Sequence, residues 1–311
     1  MIPARRLANL AGKFATGFAA LVLGSGCQAA AAGDADQTAT ASATAVPRAT
    51  PSAPQPAGSG ELTVAGELTQ GGWVRGIAPG GTVALTLDGV AVPVAADGRF
   101  FAAFDRDASS SAVLTVRLAD GRTTVRTLGI APRAWKIEHI NAARRPGGAT
   151  ADFMALRRPE LAAINAARAR VNTAEGWRQQ FIWPVRGRLS GLFGSQRIYR
   201  GEPGSYHSGT DIATGESGTP YVAPADGVVI LAAQKPFTLE GNLLMIDHGN
   251  GLNSAFLHSS ELFVKEGDRV RQGQLIGRIG MTGRATGPHL HWSIKWNSAR
   301  LDPLLFTGPM K

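Results

Sequence analysis

The chain of 311 residues contains a single cysteine, Cys27. One thiol cannot form an intramolecular disulfide, and it leaves no place for a Cys-rich zinc site. Charged residues are scarce at 18 %, but the 44 % of hydrophobic residues is enough for ordinary cores and excludes wholesale disorder. The chain also lacks the interleaved aromatic and basic residues that single-strand binders use, so we expect no nucleic-acid partner.

The amino end has no apolar run long enough to span a bilayer comfortably, since the apolar stretch covers only residues 14–23. Basic residues precede this stretch and small residues follow it, which predicts a secretory signal peptide over residues 1–32. Cys27 lies where a lipoprotein signal places its lipidated residue, which makes it a candidate membrane tether. The alternative is ordinary cleavage near Ala31 or Ala32, which removes Cys27. Both alternatives predict an exported protein of the periplasm or cell envelope.

Residues 33–60 are mostly Ala, Thr, Ser and Pro, and they are predicted to form a flexible linker because they cannot bury a core. The formal net charge of the chain is +9, and residues 132–182 hold nine basic and four acidic residues. This basic region, which includes Arg157 and Arg158, favours an anionic cell-wall or membrane surface. The alternative interpretation is a solvated helix face.

Residues 61–131 contain short β-prone runs separated by Asp-Gly dipeptides, which supply the positive φ angles of tight hairpins. This pattern predicts a small antiparallel β-sandwich. The runs cover residues 83–87, 90–94, 100–104, 113–118 and 123–128. No cluster of catalytic residue types lies among them, so we interpret the sandwich as a spacer, a binding module or a docking module for an envelope protein partner.

Residues 132–180 are predicted to form a partly helical connector, because residues 151–173 are rich in Ala, Leu and Arg with apolar residues near helical spacing. Pro159 is expected at a helix start. From residue 181 the chain returns to glycine-punctuated strand patterns, which predicts a second all-β domain over residues 181–311. Its strand runs cover residues 227–231, 243–247, 252–257, 275–279 and 290–294.

Five of the six histidines lie in this last domain. His207 and Asp211 are four residues apart, and His289 and His291 are two apart. Because alternate side chains of a strand share a face, His289 and His291 should project together while Leu290 and its alternate neighbours enter the core. Two imidazoles with a distant His and Asp suit a zinc site of three protein ligands with a fourth position for water.

The general-base signature His-Glu-x-x-His is missing from the chain. If hydrolysis occurs, the base must therefore be a histidine outside the metal shell, and the candidates are His258 and one of His289 and His291. His248, between Asp247 and Gly249, is predicted to be a turn residue.

Together these segments resemble the lysostaphin-type, or LytM-like, zinc metalloendopeptidases, which hydrolyse peptide cross-links of bacterial peptidoglycan. The resemblance covers roughly residues 181–306. The segments that carry it include Leu-Phe-Gly at 192–194, His207 to Ile212, Ile-Asp-His-Gly at 246–249, Phe-Leu-His at 256–258, Thr-Gly at 282–283 and Thr286 to His291.

The resemblance implies an all-β catalytic domain whose antiparallel sheets form a groove over the metal. It implies one Zn²⁺ ion bound by His207, Asp211 and His291, with His258 and His289 as the catalytic pair. The implied partner is the peptide part of peptidoglycan, cleaved by an exported enzyme. The alternative is a noncatalytic family member that binds the cell wall or activates a separate amidase.

The chain departs from the family pattern at two positions. Phe256 stands where the family often has Tyr, and Ser259 follows His258 where Leu is frequent. Neither change affects a proposed ligand or either partner histidine, so we still expect activity. Asn242 is expected to orient a neighbouring loop by hydrogen bonds.

Overall fold

The computed structural model describes residues 60–143, 150–233 and 235–310. The predicted signal peptide, Cys27 and nearly all of the linker lie outside these residues. No helix in the described ranges is both long and apolar enough to cross a membrane. The boundaries expected for the sandwich, the connector and the last domain stay predictions.

Seven strands between residues 63 and 129 form two antiparallel sheets. The strands are β1 (Thr63–Gly66), β2 (Trp73–Ile77), β3 (Thr82–Leu87), β4 (Val90–Ala91), β5 (Arg99–Ala103), β6 (Ser111–Leu118) and β7 (Thr123–Gly129). The sheet orders are β1-β2-β5 and β4-β3-β6-β7. Asp88 and Gly89 between β3 and β4 have φ of 49° and 81°, as a tight two-residue hairpin requires.

The connector contains strand β8 (Ile137–Ile140), helix α1 (Ala151–Arg168) and a 3₁₀ turn (Gly176–Arg178). The Thr150 hydroxyl caps α1 by accepting a hydrogen bond from the Phe153 amide, at 3.1 Å. The expectation that Pro159 begins the helix is wrong, because it lies inside a helix that Thr150 already starts. Pro159 has no N–H to donate, so the helix loses one backbone hydrogen bond there.

The remaining strands continue to residue 301. They are β9 (Arg188–Gly191), β10 (Gln196–Tyr199), β11 (Glu202–Pro203), β12 (Thr210–Ala213), β13 (Pro220–Val222), β14 (Gly227–Ala232), β15 (Asn242–Gly249), β16 (Leu252–Ser259), β17 (Glu261–Leu262), β18 (Arg269–Val270), β19 (Leu275–Arg278), β20 (Leu290–Trp296) and β21 (Ala299–Leu301). A short helix, α2 (Leu304–Thr307), follows.

The main sheet of this part is antiparallel and has the order β18-β14-β15-β16-β20-β12-β9, with β21 paired to β20. A second antiparallel sheet has the order β13-β19-β17, and β8 and β11 flank β10 in a third sheet. The predicted all-β fold class with a helical connector is confirmed.

Strand β20 shows the predicted alternation. Leu290, Trp292 and Ile294 are fully buried on one face of the main sheet, whereas His291 and Ser293 lie on the other. In the neighbouring strands, Leu257 pairs with His291 and Asp211 pairs with His291 from the other side. Directly paired residues share a face, so Asp211 and His291 project together from adjacent strands.

The buried apolar cluster runs without a break from Leu62 in the amino-terminal sheets to Phe306 in α2. Its aromatic centre joins both parts of the chain, with ring centroids 5.5 Å apart for Trp73 and Phe306 and 5.1 Å apart for Phe181 and Phe306. The two β-rich parts therefore share one core.

His248 is not the predicted turn residue. It lies within β15, fully buried, where its Nδ1–H donates to the Asp226 carbonyl at 2.8 Å and its Nε2 accepts from the Ser254 hydroxyl at 2.8 Å. Burial lowers its pKa to about 4 and keeps the ring neutral. The misassignment has a simple cause: the strand continues to Gly249, where the tight turn begins.

Candidate metal centre

Three of the predicted site residues meet at one point at the end of the main sheet. The Nε2 atom of His207 lies 3.0 Å from Asp211 Oδ1 and 3.0 Å from His291 Nδ1, and the Nδ1 of His291 lies 2.8 Å from the same carboxylate oxygen. Asp211 and His291 come from the paired strands β12 and β20, and His207 comes from the loop before β12.

Hydrogen bonds fix which nitrogen of His207 faces the group. Its Nδ1 lies 3.1 Å from the carbonyl oxygen of Leu192, which can only accept, so Nδ1 carries the proton. The lone pair of Nε2 is thereby directed at Asp211 and His291. A backbone carbonyl that orients an imidazole in this way is a common support for metal-binding histidines.

Two glycines make room for the group. A Cβ on Gly191 would lie 2.3 Å from Asp211 Oδ2, and a Cβ on Gly209 would lie 2.7 Å from His291 Nε2. Neither distance is compatible with a side chain larger than hydrogen. The sequence analysis did not single out these glycines. Gly209 stands between His207 and Asp211 in the sequence motif, and this position could have identified it as a residue of the site.

The charge state of the group suits a cation. Burial raises the pKa of Asp211, but the His207 and His291 imidazoles, 3.0 and 2.8 Å from its Oδ1, hold that pKa well below its usual value. Burial lowers the pKa of His291, against the attraction of Asp211. The carboxylate is therefore ionised and the His291 ring neutral near neutral pH, as metal ligands need. Burial lowers the pKa of His207, but Asp211 raises it further, so the net shift is upward and a metal ion bound through Nε2 would displace a proton.

The donor set fits a zinc ion. Two imidazole nitrogens and one carboxylate oxygen form a common three-ligand set for catalytic zinc. Zn–N distances of ~2.0–2.1 Å at a tetrahedral centre place neighbouring donor atoms ~3.3 Å apart. The spacings of 2.8–3.0 Å are within a few tenths of an ångström of that value.

His258 and His289 lie beside the group, with their ring centroids 4.8 Å apart. The Nδ1–H of His258 donates to the Thr282 carbonyl at 2.8 Å, and that of His289 donates to the Gly287 carbonyl at 2.8 Å. In the neutral form of each ring Nε2 is therefore the nitrogen without a proton, and Nε2 of His289 lies 3.8 Å from Asp211 Oδ1. Burial lowers the pKa of His258, which favours its neutral form.

The remaining histidines lie elsewhere: His139 is exposed on β8, and His248 is buried in β15. Asn242 begins β15, and its side-chain N–H donates to the carbonyl of Ser259, its partner at the end of β16, at 2.9 Å. Tyr221 contacts both positions that depart from the family pattern: its ring stacks on Phe256, and its hydroxyl lies 2.7 Å from Ser259 Oγ. The two departures from the family pattern thus pack together.

Residues 205–303 match the profile of Peptidase family M23. The chain therefore carries a peptidase M23 domain. The matched segment contains the three residues of the candidate metal centre and both neighbouring histidines, His258 and His289.

Curated relatives match this M23 region. The chain is 41 % identical over 120 residues to the peptidoglycan DD-endopeptidase ShyA of Vibrio cholerae, which is 37 % of this chain and 26 % of that protein. It is 41 % identical over 103 residues to the DD-carboxypeptidase/endopeptidase Mpg of Neisseria meningitidis, covering 33 % and 23 %. The chain thus spans about a quarter of the length of these relatives.

Among solved structures, a peptidase M23 from Pseudomonas aeruginosa aligns with a TM-score of 0.61 and 29 % sequence identity. The alignment covers 78 % of this chain and 96 % of that one. The structural likeness therefore extends beyond the M23 domain into the residues that precede it.

Proposed function

We propose that the protein is an exported zinc metalloendopeptidase that hydrolyses peptide cross-links of bacterial peptidoglycan. The observation that carries this proposal is the convergence of His207, Asp211 and His291 within 3.0 Å of one another, beside the adjacent rings of His258 and His289. The names of the relatives ShyA and Mpg support the substrate class.

His207, Asp211 and His291 would hold the zinc ion through Nε2, Oδ1 and Nδ1 respectively. Zinc supplies Lewis-acid chemistry: it polarises a carbonyl and makes hydroxide available near neutral pH. His258 and His289 perform the remaining steps. With its Nδ1–H held by Thr282, neutral His258 can take a proton at Nε2 from the attacking water and later deliver it to the leaving amine. The protonated form of either ring would donate to the developing oxyanion.

The alternative of a noncatalytic regulator requires a defect in the site. Each of the five side chains is present, and their hydrogen bonds direct both Nε2 atoms as catalysis requires. These observations favour the enzyme.

The test uses the full chain with purified sacculi as substrate. We expect His291→Ala and Asp211→Ala to lose bound zinc together with turnover, because each removes a ligand. We expect His258→Ala and His289→Ala to retain zinc and lose turnover about 10²–10⁴-fold, the usual contribution of a general acid–base group. His139→Ala, at an exposed histidine of β8, is the matched control. Wild-type turnover in the four site variants would end the assignment.

Export and lipid attachment are proposed from the sequence. Fractionation of cells with and without Cys27→Ser tests both: a lipid-tethered protein leaves the membrane fraction when the thiol is removed. A protein that remains in the cytoplasm in both cases would refute the export proposal.

A further inference from the structure

Helix α1 lies on the same face of the main sheet as the candidate metal centre. Strand register puts Ala255 opposite Ser293 and Leu257 opposite His291, so these four residues share a face. Ile164 and Ala167 of α1 are buried in a small apolar cluster on that face. The sheet side chains of the cluster are Ile230, Leu231, Leu243, Met245 and Ala255, with Phe237 and Leu257 packed against them.

A buried network of charged side chains in the amino-terminal half of α1 connects the helix to the turn at residues 238–240. The Arg157 guanidinium donates two hydrogen bonds of 2.6 Å to the Glu240 carboxylate and one of 3.0 Å to Glu160. Glu160 in turn accepts from the amide and the hydroxyl of Thr238, both at 2.6 Å. The three charged side chains are only 10–15 % exposed.

This burial contradicts both sequence-based interpretations of Arg157, as part of an anion-binding surface and as part of a solvated helix face. A bidentate hydrogen-bonded pair of a guanidinium and a carboxylate is directional, and it is strong where water is excluded. The network therefore holds residues 238–240 in one position relative to α1.

The turn at residues 238–240 also holds His258. The His258 amide donates to the Glu240 carbonyl at 2.8 Å, and the Arg284 amide donates to the Leu239 carbonyl at 3.0 Å. On its other side, the His258 ring donates to Thr282 at 2.8 Å. His258 has a φ of +66°, a left-handed conformation that is rare for a residue with a Cβ. Such a conformation persists only where the surroundings over-determine it.

We infer that Arg157 and Glu240 are positioning residues for His258: the helix fixes the 238–240 turn, and the turn fixes the backbone of His258 in its left-handed conformation. The catalytic consequence depends on the proposed function. The positional consequence does not, because it concerns a backbone hydrogen bond that exists whether or not the protein hydrolyses peptidoglycan.

The experiment compares the full chain with Arg157→Met, Glu240→Gln and Arg158→Met. Methionine keeps much of the aliphatic length of arginine but removes its charge and hydrogen bonds. Glutamine keeps the shape of Glu240 and weakens the pair. Arg158 is the matched control, because it neighbours Arg157 on α1 but is exposed and pairs with no group in the described part of the chain.

The first measurement is amide hydrogen exchange at His258. We expect exchange to rise about 10-fold or more in Arg157→Met and by a smaller factor in Glu240→Gln, with Arg158→Met equal to wild type. Amides in the centre of β15 report global stability, which loss of a buried ion pair also lowers, so their exchange should rise by a smaller factor than that of His258. A merely structural role would raise exchange at both places by the same factor.

The second measurement is turnover at saturating substrate together with zinc content. We expect kcat to fall about 10–100-fold in Arg157→Met with KM and zinc content close to wild type, because the ligands lie outside the network. If wild type has no turnover, the proposed function fails while the exchange result still decides the inference.

Wild-type exchange at His258 in a folded Arg157→Met would overturn the inference, as would an equal effect of Arg158→Met. If Arg157→Met does not fold, Glu240→Gln decides: unchanged exchange at His258 refutes the role of the network, and faster exchange confined to that segment supports it.

Discussion

Replacing Gly191 by alanine perturbs the candidate metal centre through a single methyl group. Gly191 ends β9 and pairs with Asp211 in β12. The added Cβ would lie 2.3 Å from Asp211 Oδ2, 2.9 Å from its Cγ and 3.1 Å from His207 Cε1. The new methyl therefore contacts two of the three proposed ligands and no other side chain at closer range.

The size of the effect follows from these distances. Non-bonded heavy atoms seldom approach closer than ~3.3 Å, so the carboxylate must move by ~1 Å. Changes that disturb the orientation of a metal ligand typically reduce metal affinity about 10–100-fold, which is about 1.4–2.7 kcal/mol. We expect a loss in this range for Gly191→Ala, with the metal-free protein still folded because the atoms that the methyl meets belong to side chains and not to the backbone.

Zinc affinity measured by competition with a chromogenic chelator tests this expectation, and thermal unfolding with and without zinc gives a second readout. Zinc should stabilise wild type far more than the variant, since a ligand stabilises the folded state according to its affinity. Gly129→Ala is the control, because an added Cβ there would meet no atom within 4 Å.

Wild-type zinc affinity in a folded Gly191→Ala protein would refute the geometry. It would mean that Asp211 Oδ2 has room that the structure does not give it, or that the ion binds without Asp211.

Three further predictions concern groups outside the metal centre. The pKa of His248 falls from 6.5 in the unfolded chain to about 4 in the folded protein, so on acidification the unfolded chain binds the proton first. Lowering the pH from 6.5 to 4 should therefore reduce the free energy of unfolding by about 3 kcal/mol. In urea unfolding, His248→Gln should show a weaker dependence of stability on pH. Ser259→Ala should cost about 1–3 kcal/mol by leaving the buried Tyr221 hydroxyl without its partner, and adding Tyr221→Phe should recover part of that loss in a double-mutant cycle. Phe306→Ala should reduce the free energy of unfolding by about 3–5 kcal/mol and lower the midpoint temperature of a single unfolding transition. Two separate transitions, of which only one shifts, would contradict the shared core.

Local sequence patterns predicted strands β16 and β20 beside the candidate site, but not β9 and β12. Alternation in Leu290 to Ile294 predicts both the strand and its faces, because a period of two reports burial on one side of a sheet. The Asp-Gly dipeptides likewise mark real turns, as at Asp88 and Gly89. In each case a few adjacent residues contain all of the information.

Strands β1, β2, β8 to β13, β17, β18 and β21 were not predicted. The four residues of β8 pair in parallel with β10, almost sixty residues away, and this partner stabilises a segment whose own pattern is weak. Pro159 and His248 were misassigned for a related reason. A helix cap at Thr150 and a buried pocket around Ser254 decide their structure, and neither is visible at the residue itself.

Arg157 and His258 together illustrate structural features that a local sequence pattern does not predict. An arginine in an Ala- and Arg-rich helix looks solvated until Glu240, eighty-three residues later, is brought beside it. Strict strand alternation would put His258 on the opposite face from Leu257 and His291, yet its ring centroid lies 6.4 Å from that of His291. The left-handed φ at His258 breaks the alternation and directs the ring to the site. A strained residue needs an external constraint, and the turn held by Arg157 provides one, so the departure from local rules and the long-range ion pair have the same explanation.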